Sequence, residues 1–330
     1  MSEPTISTLL KLLNPNLLIY DLFQPWAPTL ASAHNIPAIL FYTTGAASFC
    51  FGHYHLKNPG VEFQFPSIHL EEQYRGNNIN RVQQSPADEN DNMGDWFLKC
   101  TQKSSNIILI KTCREIEAKF IDYLSVLTEK KIVPVGVLVQ DPIDENNHEC
   151  FLTHEEMEEI AHGLELSSIN FIWAVKFPMG EKIRIDEVLP QGFLDRVGDR
   201  GMVVEGWAPQ TKILEHSSIG GFMSHCGWSS VVEGIRYGVP IIAMPLHGDQ
   251  PLNAKFTAEI GIGVEVKREK DGRIERREVA KVIREVIVGK KGEEVRRKAK
   301  EMSEKIGKKG QEEIDVVVEE LMQLCKKSEG

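Results

Sequence analysis

No run in the 330 residues is apolar over the roughly 20 positions that a membrane-spanning helix requires. The opening MSEPTISTLLKLLNPN has neither the basic segment and long apolar stretch of a secretory leader nor its small-residue cleavage site. Cysteine is scarce and scattered. Cys50, Cys100, Cys113, Cys150, Cys226 and Cys325 include no CxxC and no short pairing, which argues against a zinc knuckle or a disulfide framework and fits a reducing compartment. Basic charge is also in short supply: a net charge of −10 disfavours general affinity for nucleic acid or anionic membrane. These absences predict a soluble cytoplasmic protein in which any bound anion is held locally.

What is present is a core. At 42% hydrophobic content the chain can bury a large apolar interior, and its length suggests two domains. Short β-branched runs recur: LLIYD (17–21), IPAILFY (36–42), NIILIKT (106–112), KIVPVG (131–136), NFIWAVKF (170–177), GMVVEGW (201–207), GGFMSH (220–225) and PIIAMP (240–245). Helical patterns lie between many of them, as in 155–167, 229–238 and 251–261, and this alternation predicts an α/β fold with parallel sheets and covering helices. The acidic, proline-containing QDPIDENNHEC (140–150) reads as a linker, which places domains at 1–139 and 151–330. The polar stretch 69–92 reads as a loop. From Arg276 onward interleaved charges of both signs predict solvated helices with local ion pairs rather than a basic docking patch.

The chemistry gathers in WAPQTKILEHSSIGGFMSHCGWSSVVEGIRYGVPIIAMPLHGDQ, residues 207–250. A strand ends in Ser224, His225 and Cys226, Gly227 turns the chain, and Ser229 and Ser230 stand where a helix N-cap is expected. Backbone N–H groups, the positive end of the helix dipole and two hydroxyls would converge there, which suits a phosphate. A metal site is a poor reading, because adjacent strand residues His225 and Cys226 point to opposite faces. Cys226 is read as core rather than as a nucleophile. Trp207, at another strand end, can stack on a flat base, and Asp249 and Gln250 at a third offer a carboxylate and an amide suited to sugar hydroxyls.

These 44 residues resemble the signature box of the plant family 1 UDP-glycosyltransferases, and the resemblance extends outside the box from about Leu9 to the C-terminus. It implies the GT-B fold: two Rossmann-like α/β domains facing a cleft, an N-terminal acceptor domain and a C-terminal UDP-sugar domain, both incomplete here. By position, Trp207 would stack on the uracil, and Ala208 and Gln210 would hold the base edge. Glu233 would accept the ribose hydroxyls. His225 and Ser230 would contact the phosphates, with Gly227 allowing close approach and Trp228 and Ser229 completing the donor set; Ser229 stands where the family most often has Asn. Asp249 and Gln250 would bind the sugar, and Gln in that place implies UDP-glucose. No metal or resident cofactor is implied.

The family's reaction is an inverting displacement in which a His deprotonates the acceptor hydroxyl and an Asp orients the imidazole. Asp21, ending LLIYD, matches that Asp, and Thr43 in FYTTG matches a donor-sugar contact. The matching His has no counterpart, and His34, His53 and His55 show no sign of replacing it. A strand of the type VFVSFGS, central to the family's second sheet, is also missing between Cys150 and Phe151. Losing an interior strand would leave backbone groups of two neighbours unpaired unless the sheet rearranges. The expectation is a monomeric glucosyltransferase acting on a hydroxyl of a small flavonoid- or terpenoid-type metabolite or its glycoside. The alternative is a non-catalytic, UDP-binding remnant of such an enzyme.

Overall fold

The computed structural model describes residues 3–74, 93–139, 151–177 and 184–327. The expected linker 140–150, including Cys150, and most of the expected 69–92 loop lie outside the described residues. In chain order the elements are α1 (Glu3–Leu13), β1 (Leu18–Tyr20), α2 (Ala27–Ser32), β2 (Ala38–Tyr42), α3 (Ala46–Lys57), α4 (Met93–Lys103), β3 (Ile107–Ile110), α5 (Arg114–Thr128) and β4 (Lys131–Pro134). There follow α6 (His154–Ser167), β5 (Phe171–Val175), α7 (Ile185–Val188), α8 (Phe193–Val197), β6 (Gly201–Glu205), α9 (Gln210–Glu215), β7 (Phe222–Ser224), α10 (Trp228–Tyr237), β8 (Ile241–Ala243), α11 (Gln250–Glu259), β9 (Gly263–Glu265), α12 (Arg276–Ile287) and α13 (Lys290–Lys327). All eight sequence-predicted strands form. The ninth, β9, was not expected.

The chain divides into two compact units, 1–138 together with 304–330, and 139–303. Residues 304–330, inside the expected 151–330 span, cluster with the first unit. Val317, Leu321 and Leu324, spaced to share one helix face, pack on the first unit's cluster of Ile39, Ile107, Leu109, Val133 and Val135. The tail is drawn there by an apolar stripe inside a charged segment. Glu313 on the same helix accepts the Arg114 N–H at the start of α5, at 3.0 Å.

In the first unit four strands run parallel in the order β1-β2-β3-β4. The central β3 is buried along its whole length, as an apolar run covered on both faces must be. Helix α3 begins at Gly45 with no side-chain cap of its own. Its first N–H groups are met instead by Glu117, a fully buried residue: Ala46 and Ala47 each donate to one of its carboxylate oxygens at 2.8 Å. To reach them, α5 departs from helical geometry at Glu117, where φ is −126°.

His53 on α3 is also buried, edge-on to Phe49 and tilted against Phe97, and its Nδ1 has no hydrogen-bond partner. Burial, helped by the nearby Lys57 charge, lowers its pKa to about 4. The native ring therefore stays neutral while the unfolded ring, with a pKa near 6.5, takes up a proton as the pH falls. Stability is unaffected above that value and declines between pH 6.5 and 4, by about 2 kcal/mol at pH 5. Urea titrations at pH 7 and pH 5 should show this loss, and His53→Phe should remove most of it; an equal loss in the variant would assign the acid sensitivity elsewhere.

The second unit's parallel strands form two ladders, β5-β6 and β7-β8-β9, and among the described residues no ladder joins them. β5 alternates half-buried and exposed positions, whereas β8 is buried throughout. The two pieces share a covering helical layer instead: Ile160 and Leu164 of α6 and Val279, Val282, Ile283 and Val286 of α12 pack in one cluster with Phe171 and Trp173 of β5, Met223 of β7 and Ile242 of β8. The helices approach closely at Gly163, where a Cβ would come within 2.5 Å of Val279 Cγ1. A Thr153/Glu156 capping box starts α6, and Arg276 at the start of α12 is paired with Glu159, whose carboxyl it holds below the usual range.

Candidate functional site

The site is built at the carboxyl ends of β6, β7 and β8. Beyond β7 the chain bends at Cys226, which adopts a left-handed conformation, φ +64°, unusual for a residue with a Cβ. The Ser224 hydroxyl accepts the Cys226 N–H at 3.1 Å, and the Cys226 thiol points inward, fully buried, toward the Ser224 carbonyl. Burial pushes that thiol's pKa well up, so Cys226 is an inert core residue as expected. His225 faces outward and exposed, which separates it from Cys226. At the next position a Cβ on Gly227 would lie 2.8 Å from His225 Nε2, so a side chain there would displace the imidazole.

Gly227, not a serine, is the N-cap of α10, and it has no side chain with which to cap the helix. Ser229 and Ser230, expected at the cap, fall two and three positions past it, in the first helical turn. Their hydroxyls and the first-turn amides thus share the helix terminus with its positive dipole end, and no acidic residue lies in that turn. Trp228, the first residue of α10, stands at the same helix terminus. Its indole is buried against Phe256, with ring centroids 5.8 Å apart, because the first helical position turns inward onto α11.

Trp207 follows β6 after Gly206 (φ +87°) and is 42% exposed, an uncommon state for an indole with no role at the surface. Pro209 then opens α9, and Gln210 at its start donates to Glu233 at 2.6 Å and reaches Ser230 Oγ at 3.5 Å. Residues expected to hold base, phosphate and ribose are therefore brought together by one short network. Ala208 lies between Trp207 and Pro209, half-buried.

After β8 the chain loops to Asp249, the N-cap residue of α11. Gln250 is 5% exposed, and its Oε1 accepts the N–H groups of Leu246 and His247 at 3.0 and 3.1 Å. Its carbonyl thus shapes the 246–250 loop. Asn253, one turn on, was not singled out by the sequence; it donates to both the Cys226 carbonyl and an Asp249 carboxylate oxygen.

In the first unit, Asp21 follows β1 and Thr43 follows the parallel neighbour β2, so both stand at carboxyl ends of the same sheet. Asp21 Oδ1 accepts the Phe23 N–H at 2.7 Å, a turn of the kind Asp favours at a strand end. Thr43 is exposed. The described histidines of this region are placed elsewhere: His34 contacts Ser7, His55 packs on Phe51 and Phe63, and His53 is the buried neutral ring. Cys113, Glu115 and Glu313 bring three ligand-type atoms within 4.8 Å of one another, but Glu313 is already engaged as the cap of α5.

A family profile described as UDP-glucoronosyl and UDP-glucosyl transferase matches residues 149–300. UDP-glucosyltransferase 29 of Panax ginseng is 50% identical, over 98% of this chain and 77% of its own length. The beta-D-glucosyl crocetin beta-1,6-glucosyltransferase of Gardenia jasminoides is 45% identical, over 98% of this chain and 78% of its own. The match to the ginseng protein runs over 349 positions, more than the 330 residues of this chain, so the relative carries residues inside the matched region that have no counterpart here. Among solved structures, Phytolacca americana UGT2 complexed with UDP-2fluoro-glucose and pterostilbene superposes with a TM-score of 0.79 at 26% identity, covering 97% of this chain and 80% of that one. The chain belongs to the plant UDP-glycosyltransferases, α/β enzymes of GT-B fold that take a UDP-sugar as co-substrate without a metal or other cofactor.

Proposed function

We propose that this chain transfers glucose from UDP-glucose, with inversion, to a hydroxyl of a small plant metabolite or its glycoside. The observation that carries the reading is the convergence of Gln210, Ser230 and Glu233 beside the start of α10, whose first turn holds no acidic residue. Trp207 stacks on the uracil and Ala208 and Gln210 hold its edge. The Glu233 carboxylate accepts the ribose hydroxyls, and His225, Gly227, Ser229 and Ser230 surround the diphosphate, with Trp228 contributing through its backbone. Asp249 grips the glucose, with Gln250 fixing the loop beside it, and Thr43 is the first unit's donor contact.

In the displacement the acceptor oxygen attacks the anomeric carbon, the bond to the UDP oxygen breaks, and a base takes the acceptor proton. Asp21 is the carboxylate proposed to orient that base. A glycoside acceptor of flavonoid or terpenoid type is favoured by the relative that extends a glucosyl group on crocetin. We further propose a cytoplasmic monomer: no helix among the described residues is long and apolar enough to cross a membrane, and the described cysteines are free thiols.

The test is turnover. Purified chain incubated with UDP-glucose and a panel of aglycones and monoglucosides should release UDP and form a glucoside, with monoglucosides preferred. UDP binding without turnover on any acceptor would sink the catalytic reading.

A further inference from the structure

We propose that Asn253 is a positioning residue that ties the sugar-gripping carboxylate of Asp249 to the phosphate-binding turn at Cys226. The proposal rests on the donor-site reading above and adds to it a residue outside the 207–250 segment. Asn253 lies in the second turn of α11 and is 1% exposed. Its Nδ2 donates at 3.0 Å to the Cys226 carbonyl and at 3.0 Å to Asp249 Oδ2. Both partners are acceptors only, so the amide orientation is fixed by chemistry: the reversed amide would set its oxygen against a carbonyl and a carboxylate.

Each end of this bridge holds something that would otherwise move. Cys226 sits in a left-handed conformation that is strained for a residue with a Cβ. It is pinned on its N–H by Ser224 and on its carbonyl by Asn253, and together these aim the His225–Gly227 turn. Asp249 is the N-cap residue of α11, yet its side chain does not cap the helix; Asn253 takes one carboxylate oxygen instead and fixes the rotamer. The helix carrying Asn253 is itself anchored by Lys255, whose buried ammonium meets Glu265 of β9 at 2.8 Å. An amide suits this place because it supplies two donors without charge. A carboxylate would repel both partners, a serine hydroxyl offers one hydrogen, and alanine offers none.

A bridge of this kind acts on the sugar more than on the nucleotide. Removing it should therefore change the preference for UDP-glucose over UDP, a ratio that a purely scaffolding residue would leave alone. Dissociation constants for UDP and UDP-glucose would be measured by calorimetry for the natural chain, Asn253→Ala, the near-isosteric Asn253→Asp, Asp249→Ala and the Asp249→Ala/Asn253→Ala pair. In both Asn253 variants UDP-glucose affinity should fall roughly tenfold more than UDP affinity. In the Asp249→Ala background the further change at Asn253 should leave the ratio within about twofold.

An unchanged ratio in the Asn253 variants, with the natural chain binding both ligands, overturns the positioning role and leaves the donor site standing. Failure of the natural chain to bind UDP overturns both. If neither Asn253 variant melts cooperatively, the residue belongs to the scaffold and the proposal is wrong.

Discussion

Glu117→Ala should destabilise the first unit by about 3–5 kcal/mol, the largest single-residue effect expected outside the apolar core. The carboxylate is fully buried and spends both oxygens on the Ala46 and Ala47 N–H groups. Deleting it leaves two buried donors at the start of α3 without their partner and opens a cavity where α5 bends. An isolated buried charge would be costly, but this one stands at the positive end of a helix dipole and receives two charge-assisted hydrogen bonds. Glu117→Gln keeps one acceptor and turns an NH₂ toward the other amide, so about half the loss is expected. The readout is urea unfolding followed by tryptophan fluorescence, in which Trp26 and Trp96 report the first unit and can be separated from the second by replacing the others. Stability of Glu117→Ala within about 1 kcal/mol of the natural chain would show that water, not the carboxylate, satisfies those amides. Because α3 starts three residues after Thr43, the same variants should disturb the loop in which that proposed sugar contact sits.

Glu233→Ala should weaken UDP binding by roughly 10–100-fold, the equivalent of the charge-assisted hydrogen bonds to two ribose hydroxyls. The geometry makes a control available. Glu233 is held at 2.6 Å by Gln210, so Gln210→Ala frees the carboxylate while leaving it in place. The Gln210 variant should lose less affinity than the Glu233 variant, and the double variant little more than Glu233→Ala alone. 2′,3′-Dideoxy-UDP supplies the ligand side of the same cycle: its affinity should be almost indifferent to Glu233→Ala. A dideoxy ligand that loses as much as UDP would move Glu233 from ligand contact to the support of α10.

Much of this was legible in the sequence because the signals were chemical and local. The strands were marked by β-branched runs such as NIILIKT, and β7-turn-α10 by a glycine between a strand end and an amphipathic stretch. β9 escaped because it has three residues, begins with glycine and ends on a charge; the Glu265 carboxylate is tolerated in the interior because Lys255 and Lys267 both pair with it. The inward turn of the Trp228 indole is decided by the packing of α11, which no spacing reveals. Glu117 and Asn253 were invisible for a related reason. Each sits in a segment that reads as an ordinary helix, and each works through backbone groups 70 residues and 27 residues away. The gap expected between Cys150 and Phe151 carried the expectation that the sheet would have to rearrange, but not how. The strands of the second unit lie in two ladders that pack on one helical cluster.

The central claim is that the turn after β7 and the start of α10 form a phosphate cradle serving a nucleotide site. Calorimetric titration of the purified chain with UDP and, separately, with uridine tests it most directly. The account predicts saturable one-to-one binding of UDP, with uridine bound at least tenfold more weakly because it has no diphosphate to meet the helix terminus. UDP binding no better than uridine, or no binding of either, would contradict it.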